Sequence, residues 1–502
     1  MLLLNPFLLL LIGLFSIHLL TKWLRKNSSS SDKRVLPPSP PRLPILGNLH
    51  QLSEFSHRSM QSLGAGMGPL MLLHFGSKPM VIVQSADAAS EIMKKHDLAF
   101  ADKAYTRTIR RMFYDLKDIA TAPYSEYWRK LKSMIILQLL SNRRVQSFKF
   151  IREEEAALLM KEIESCCACG LPVNLTQLFD TVTNNVICRA AFGRKYGVGL
   201  HSKRFLTLLR ELLHLSGSFC IGEYIPWLSW IHRVNGFDAR VDKTVREVDE
   251  FLELVIQDHL DGGVESDGDK SRQSFVDILI DIYKDNSPGA SIHRDNIKAI
   301  LLDTLAGGTD TTSATLEWAM TEILRHPTIL TKLQNEVREI LKDRDGITVD
   351  DLEKMQYLQA VIKETLRLHP PIPISGRIAR EDVRVMGYDI AAGTMVIINA
   401  WAIGRDPASW DEPEKFHPDR FLNSCVDFKG HNFELIPFGA GRRGCPGTGF
   451  ATATVQLVLA NLVQKFEWKL GEGSRLEDLD IDEQPGMAIH RKHPLLAVAT
   501  RI

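Results

Sequence analysis

The chain has 502 residues, 44% of them hydrophobic and 8% aromatic, and its 61 lysines and arginines balance 61 aspartates and glutamates. With no basic tract and no basic stripe interleaved with aromatics, the charge pattern argues against nucleic acid as a partner. Seven cysteines, an odd number without regular spacing, argue against a disulfide framework.

Met1 to Leu20 is apolar except for Asn5, Pro6, Ser16 and His18, and a run of that length can cross a bilayer as a helix. Lys22, Arg25 and Lys26 follow it and no lysine or arginine precedes it. A transmembrane signal anchor is therefore expected over 1–21, with the rest of the chain facing the cytosol. No charged segment or small-residue cleavage site marks it as a removable signal. Residues 22–44 read as a linker: Asn27 to Ser31 is flexible, and Leu36-Pro-Pro-Ser-Pro-Pro41 is a stiff hinge. Length alone suggests two or three domains, but no low-complexity linker follows Leu43, so one large domain is expected over 45–502.

Met71 to Ser85, broken at Gly76-Ser77-Lys78-Pro79, reads as a hairpin. In Ala122-Pro-Tyr-Ser-Glu-Tyr-Trp128-Arg-Lys-Leu-Lys132, Trp128 and Lys132 stand one helical turn apart. Cys166-Cys-Ala-Cys169 has no second cysteine or histidine pair nearby and abuts a loop, so no metal site is expected there. Asp261 to Arg272 is polar and glycine-rich and reads as a loop. A long helix is expected from Asp295 to Arg325, stopped by His326-Pro327. Inside it lies Ala306-Gly307-Gly308-Thr309-Asp310-Thr311-Thr312, two glycines and three threonines that oppose helix propensity, each glycine costing about 1 kcal/mol against alanine. Missing side chains leave room for a flat group, a threonine hydroxyl can bond a backbone carbonyl, and Asp310 with Thr311 supplies the parts of a proton relay. A contact between helices lined with small residues is the alternative reading.

Further helices are expected over Thr328 to Lys342 and Phe450 to Phe466. In Lys363-Glu364-Thr-Leu-Arg367-Leu-His-Pro-Pro371, Glu364 and Arg367 share one helix face. Val383 to Ala400 reads as a second hairpin, and Phe416-His-Pro418-Asp-Arg420-Phe421 offers another guanidinium. Last comes Phe438-Gly-Ala-Gly-Arg-Arg-Gly-Cys445-Pro-Gly447, one cysteine in a glycine-rich loop with two arginines. Its glycines let backbone N–H groups turn toward one sulfur. Arg442, Arg443 and the helix that follows are expected to lower the thiol pKa. One cysteine excludes four-ligand zinc and iron–sulfur patterns, whereas a haem iron needs one axial protein ligand.

These ten residues resemble the haem-binding signature of the cytochrome P-450 superfamily, with Phe438, Gly441, Arg443, Cys445 and Gly447 in its positions. The other motifs follow in the family's order, and the resemblance spans essentially the whole chain. It implies a mainly α fold with small β-sheets, one haem b, and Cys445 as the iron's ligand. It implies that Trp128, Lys132, Arg377 and Arg443 grip haem propionates, although the family usually has arginine where this chain has Lys132, and lysine cannot form the bidentate fork. Glu364, Arg367 and Arg420 match a structural triad behind the haem, and Asp310 and Thr311 match the residues that deliver protons to dioxygen.

The implied reaction is monooxygenation with O2 and electrons from a membrane-bound NADPH-cytochrome P-450 reductase, the chain being an endoplasmic reticulum protein in contact with lipid. The motif forms look most like plant enzymes of secondary metabolism acting on lipophilic small molecules, a terpenoid first and a coumarin, other phenolic or indole alkaloid as alternatives. A haem-thiolate isomerase or dehydratase needing no reductase is the rival class, against which Asp310 and Thr311 argue. By family position the pocket is lined by Tyr105 to Ile119, Asp303, Ala306, Gly307, Ile372 to Ser375 and Gly486 to Ala488. Asp303 is the one carboxylate there that could meet a cation, or it lies on the helix surface.

Overall fold

The computed structural model describes residues 13, 15–19, 21–22, 34–195, 200–261, 273–285, 292–342, 344, 346–470 and 479–502. About two thirds of the expected anchor over 1–21, and all of the glycine-rich loop over 261–272 except residue 261, fall outside them. Among the described residues no helix is long and apolar enough to cross a membrane.

Helices form the bulk of the fold, and seven position the site: α1 (Glu126–Met134), α2 (Lys149–Ala168), α3 (Leu175–Phe192), α4 (Arg294–Arg325), α5 (Pro327–Leu341), α6 (Gln356–Leu368) and α7 (Thr448–Lys465). The expected ends of α4 and α5 agree within a residue or two because their stop signals are local. His293 and Asn296 cap each other at the start of α4, and Pro327 begins α5 after His326 ends α4. From Thr312 to Leu324 every residue of α4 is buried, so the helix runs through the core and not over it. It packs on α3, where Gly308 lets Ile187 approach.

Strands β1 (Leu70–Phe75) and β2 (Lys78–Val83) form the expected hairpin, Leu70 opposite Val83 and Phe75 opposite Lys78. Three further strands, β3 (Asp102–Lys103), β5 (Ile374–Ile378) and β8 (Met395–Asn399), complete a five-stranded sheet in the order β1-β2-β8-β5-β3. The second expected hairpin holds only for β6 (Val383–Val385) and β7 (Tyr388–Ile390). Its last residues leave as β8, which pairs parallel with β2 and antiparallel with β5. Buried on successive positions from Val396 to Asn399, β8 has the continuous apolar character of a central strand, which a hairpin edge would not need. The β4 (Val173–Asn174), β9 (Phe466–Lys469) and β12 (Leu496–Arg501) strands form a small sheet, and β10 (Glu483–Gln484) pairs with β11 (His490–Arg491). One large apolar cluster joins α2, α3, α4, α5, α6 and α7, and a second lies under the five-stranded sheet.

Candidate active site

The cysteine loop closes on itself before α7 begins. Cys445 N donates to Phe438 O at 2.9 Å and Gly444 N to Gly441 O at 3.1 Å. Gly441 has φ +67°, and a Cβ there would stand 2.3 Å from Met93 O, so conformation and space both require glycine. The Phe438 ring meets Phe428 edge-on at 5.3 Å. Cys445 lies deep in the protein, yet its own surface is open, so the sulfur faces interior space and is not packed over. The Thr448 hydroxyl donates to Cys445 O at 3.1 Å, and it and the Gly447 N–H are close enough to the thiol to favour its anion.

The thiol does not behave as its two neighbouring arginines suggest. Burial pushes its pKa up, and the cations that oppose this are Lys103 and Lys132. Arg442 is turned outward to Asp97, 2.8 Å away. Arg443 donates to Ala122 O at 2.7 Å and Ala120 O at 3.0 Å. Desolvation therefore outweighs nearby charge; a coordinating metal is what deprotonates such a thiol outright.

Around the sulfur the fold collects Lys103, Lys132, Arg377 and Arg443; burial lowers the pKa of all four, and neighbouring cations lower Lys103, Lys132 and Arg377 further. Lys103 on β3 stands directly opposite Arg377 on β5, an arrangement of like charges that destabilises a sheet unless something lies between them. Burial, then Arg377 and Arg443, push the Lys103 ammonium well below its ordinary range, while its Nζ donates to Ser375 Oγ at 2.8 Å. Burial, then Arg443, lowers Arg377 to about 9, and its Nη1 is buried with no hydrogen-bond partner. Burial lowers Arg443 to about 10 and also lowers Lys132, whose Nζ donates to Arg442 O. Four crowded cations beside an open thiol, one with an unanswered donor, fit a group that carries carboxylates and a metal. The Trp128 indole N–H donates to Ile119 O at 2.9 Å, and its ring lies 4.4 Å from the Arg443 guanidinium. Lys103 was not recognised in the sequence; only its register opposite Arg377 shows it.

On α4, a Cβ at Gly307 would meet nothing within 4 Å, whereas one at Gly308 would stand 2.5 Å from Ile187 Cδ1. One glycine keeps space open and the other admits a neighbouring helix. Thr311 Oγ1 folds back to Gly307 O at 2.7 Å. Asp310 turns the other way, and its Oδ1 lies 3.0 Å from His490 Nε2. His490 also stands 3.4 Å from Glu317, and neither His490 nor Glu317 carries a local sequence signal.

Asp303 corrects both of its expected roles. Its Oδ2 accepts from Ile119 N at 2.8 Å and Ala120 N at 3.2 Å, so it clamps the loop beneath Trp128 and Arg443 and is not free for a cation. Burial and the adjacent Asp118 carboxyl push its pKa well up. The clamp holds a strained segment: Tyr114, Asp115 and Leu116 all have left-handed φ, from 50° to 63°, at about 1–2 kcal/mol per residue. Behind the cysteine loop, Glu364 meets Arg367 in a two-bond fork of 2.7 and 2.8 Å and Arg420 at 3.1 Å. Among the described residues the cysteines at 166, 167 and 169 join no group that could hold a metal.

The family model described as Cytochrome P450 matches residues 37–498. The chain is 53% identical to "Cytochrome P450 71A8" of Mentha piperita over 98% of this chain and 95% of that protein. It is 47% identical to "Tabersonine/lochnericine 19-hydroxylase" of Catharanthus roseus over 94% of each. The fold matches a zebra fish cytochrome P450 structure with progesterone at TM-score 0.75 and 24% identity, covering 89% of this chain and 99% of that one.

Proposed function

Because this chain belongs to the cytochrome P450 family and is a haem b monooxygenase of the plant type, we propose that it oxidises a lipophilic small molecule with Cys445 as the iron's ligand. Bound haem supplies the dioxygen chemistry, since thiolate ligation favours O–O cleavage. The residues of this chain do the rest. Lys103, Lys132, Arg377 and Arg443 hold the cofactor's carboxylates, which answers the unpartnered Arg377 Nη1; Phe438 and Gly447 shape the cysteine loop. Gly307 leaves room beside the reacting centre. Asp310 and Thr311 hold and pass protons from the side of α4. The single observation that carries this reading is the open Cys445 sulfur beside a cluster of four cations, of which Arg377 and Arg443 are buried.

Electrons come from NADPH-cytochrome P450 reductase, docking on the face behind Cys445. A groove of about 280 Å³ beside the start of α7, walled by Lys149, Arg152, Lys363 and Lys429 together with Glu153, Glu353 and Asp427, is the recess of mixed charge that we assign to that docking. Residues 1–21 anchor the protein in the endoplasmic reticulum membrane with the domain over 45–502 in the cytosol. Phe219, Trp227, Trp230 and Val234, each 56–77% exposed, support a second contact with lipid, since tryptophans favour the membrane interface.

The substrate is a terpenoid on the sequence resemblance. A relative named for tabersonine and lochnericine favours the indole alkaloid as the second reading. For either, Asp303 gives no ionic anchor. Microsomes containing the protein and reductase should turn over members of a terpenoid and alkaloid panel only with NADPH and O2. Reduced protein under carbon monoxide should show the red-shifted Soret band of thiolate ligation and Cys445→Ser should lose it. Retention of the band by the serine variant refutes the Cys445 assignment, and conversion without NADPH refutes the monooxygenation.

A further inference from the structure

Asp310 and Thr311 are neighbours on α4 but their side chains diverge. Thr311 returns to the carbonyl one turn back, at Gly307, whereas Asp310 reaches across to β11. There the His490 ring stands between two carboxylates of the same helix, Nε2 at 3.0 Å from Asp310 Oδ1 and Nδ1 at 3.4 Å from Glu317 Oε2. Residues 310 and 317 are two turns apart, so they share a face of α4, and the imidazole spans the gap between them. Glu317 is itself fixed, accepting from Thr176 Oγ1 and from Arg491 N at 3.2 Å. The His490 side chain is 21% exposed and Glu317 only 1%, so this cluster joins the helix interior to the protein's outer face.

We propose that His490 is a positioning residue for monooxygenation: clamped by Glu317, it draws Asp310 toward the C-terminal strand and sets the orientation from which that acid supplies protons on the Thr311 side. This rests on the reading of Asp310 and Thr311 as the proton-delivering pair. His490 acts through Asp310 and touches no reacting atom. The two carboxylates raise the His490 pKa to about 10 against the desolvation that opposes them, so the ring is a cation throughout the working pH range. The other charged group beside it is Arg491, whose Nε donates to His493 O and whose Nη1 donates to the Thr321 hydroxyl. Arg491 thus faces away from the pair, and Asp310 and Glu317 on α4 are the charges that His490 meets.

The test compares His490→Gln, His490→Lys and Asp310→Asn in the full chain with bound haem, each first shown to keep the carbon monoxide band. A histidine whose folded pKa is raised contributes stability in full below about 6.5 and loses it as pH rises toward about 10. The ratio of wild-type to His490→Gln folding constants, read by denaturant unfolding, should therefore fall by up to tenfold per pH unit between those limits. In turnover with reductase, His490→Gln should lower product formed per NADPH about tenfold, with hydrogen peroxide rising to match, the scale of losing one charge-assisted hydrogen bond. His490→Lys should restore the yield, because it returns a cation to Asp310. An altered pH slope with an unchanged product yield overturns the inference, leaving His490 a purely structural ion pair. An unchanged pH slope overturns it as well. If Asp310→Asn uncouples turnover while His490→Gln does not, this inference alone fails. If Asp310→Asn leaves the yield intact, the relay reading itself fails and takes the inference with it.

Discussion

Replacing Glu364 by glutamine removes the centre of the network behind the cysteine loop while keeping its shape. The carboxylate is fully buried and accepts four hydrogen bonds, two from Arg367, one from Arg420 at 3.1 Å and one from His417 N at 2.7 Å. Arg367 is equally buried and cannot retreat to water. Its Nη1 already donates to Gly404 O and Pro413 O at 2.6 Å and its Nη2 to Lys415 O at 3.0 Å. Glutamine therefore leaves a guanidinium with its hydrogen bonds largely intact and its charge unanswered, and an amide N–H facing other donors. Breaking one partner of a buried pair costs about 3–5 kcal/mol, a large part of a total stability of about 5–15 kcal/mol. Arg420→Met should cost less, about 1–2 kcal/mol, because Glu364 keeps three of its bonds and Arg420 is 13% exposed. Denaturant unfolding of the purified variants reads both values. Equal destabilisation by Glu364→Gln and Arg420→Met, or a loss below about 1 kcal/mol in the former, would refute the placement of the energy on the buried fork.

Gly307→Ala should stabilise α4 by up to about 1 kcal/mol, since its Cβ meets nothing, yet narrow the open space and raise KM; Gly308→Ala should destabilise, because its Cβ stands 2.5 Å from Ile187. Thermal unfolding and turnover separate the two. Thr311→Ala should keep NADPH consumption while product falls and peroxide accumulates, with a relay contribution of about 10²–10⁴-fold; undiminished product with no extra peroxide removes its role. Asp303→Asn should preserve the loop, because its amide oxygen still accepts from Ile119 N and Ala120 N, while Asp303→Ala should loosen it, seen as protease cleavage near residues 113–121. The raised Asp303 pKa means that the folded wild type holds a proton the unfolded chain releases, so its stability falls as pH rises above about 3.8. Asp303→Asn should flatten that slope.

The parts legible in the sequence were those governed by short-range chemistry. Proline and histidine mark where α4 stops, Gly76 to Pro79 mark the first turn, and the spacing of Gly441, Cys445 and Gly447 carries the cysteine loop. Such signals act over a few residues, so the amino-acid order alone determined them and the P450 family they belong to. Tertiary structure decided the rest. Lys103 becomes a partner of the site only through its register opposite Arg377, 274 residues away in number but adjacent across two strands. His490 meets Asp310 only when β11 packs along α4. Asp303 looks like a free pocket carboxylate until the folded loop presents two N–H groups to it. The thiol of Cys445 shows the physical reason most directly: its neighbours in sequence are arginines that favour the anion, but burial by residues distant in sequence decides the sign. Local order sets conformation, while desolvation and charge pairing depend on which distant residues the fold brings within a few ångströms.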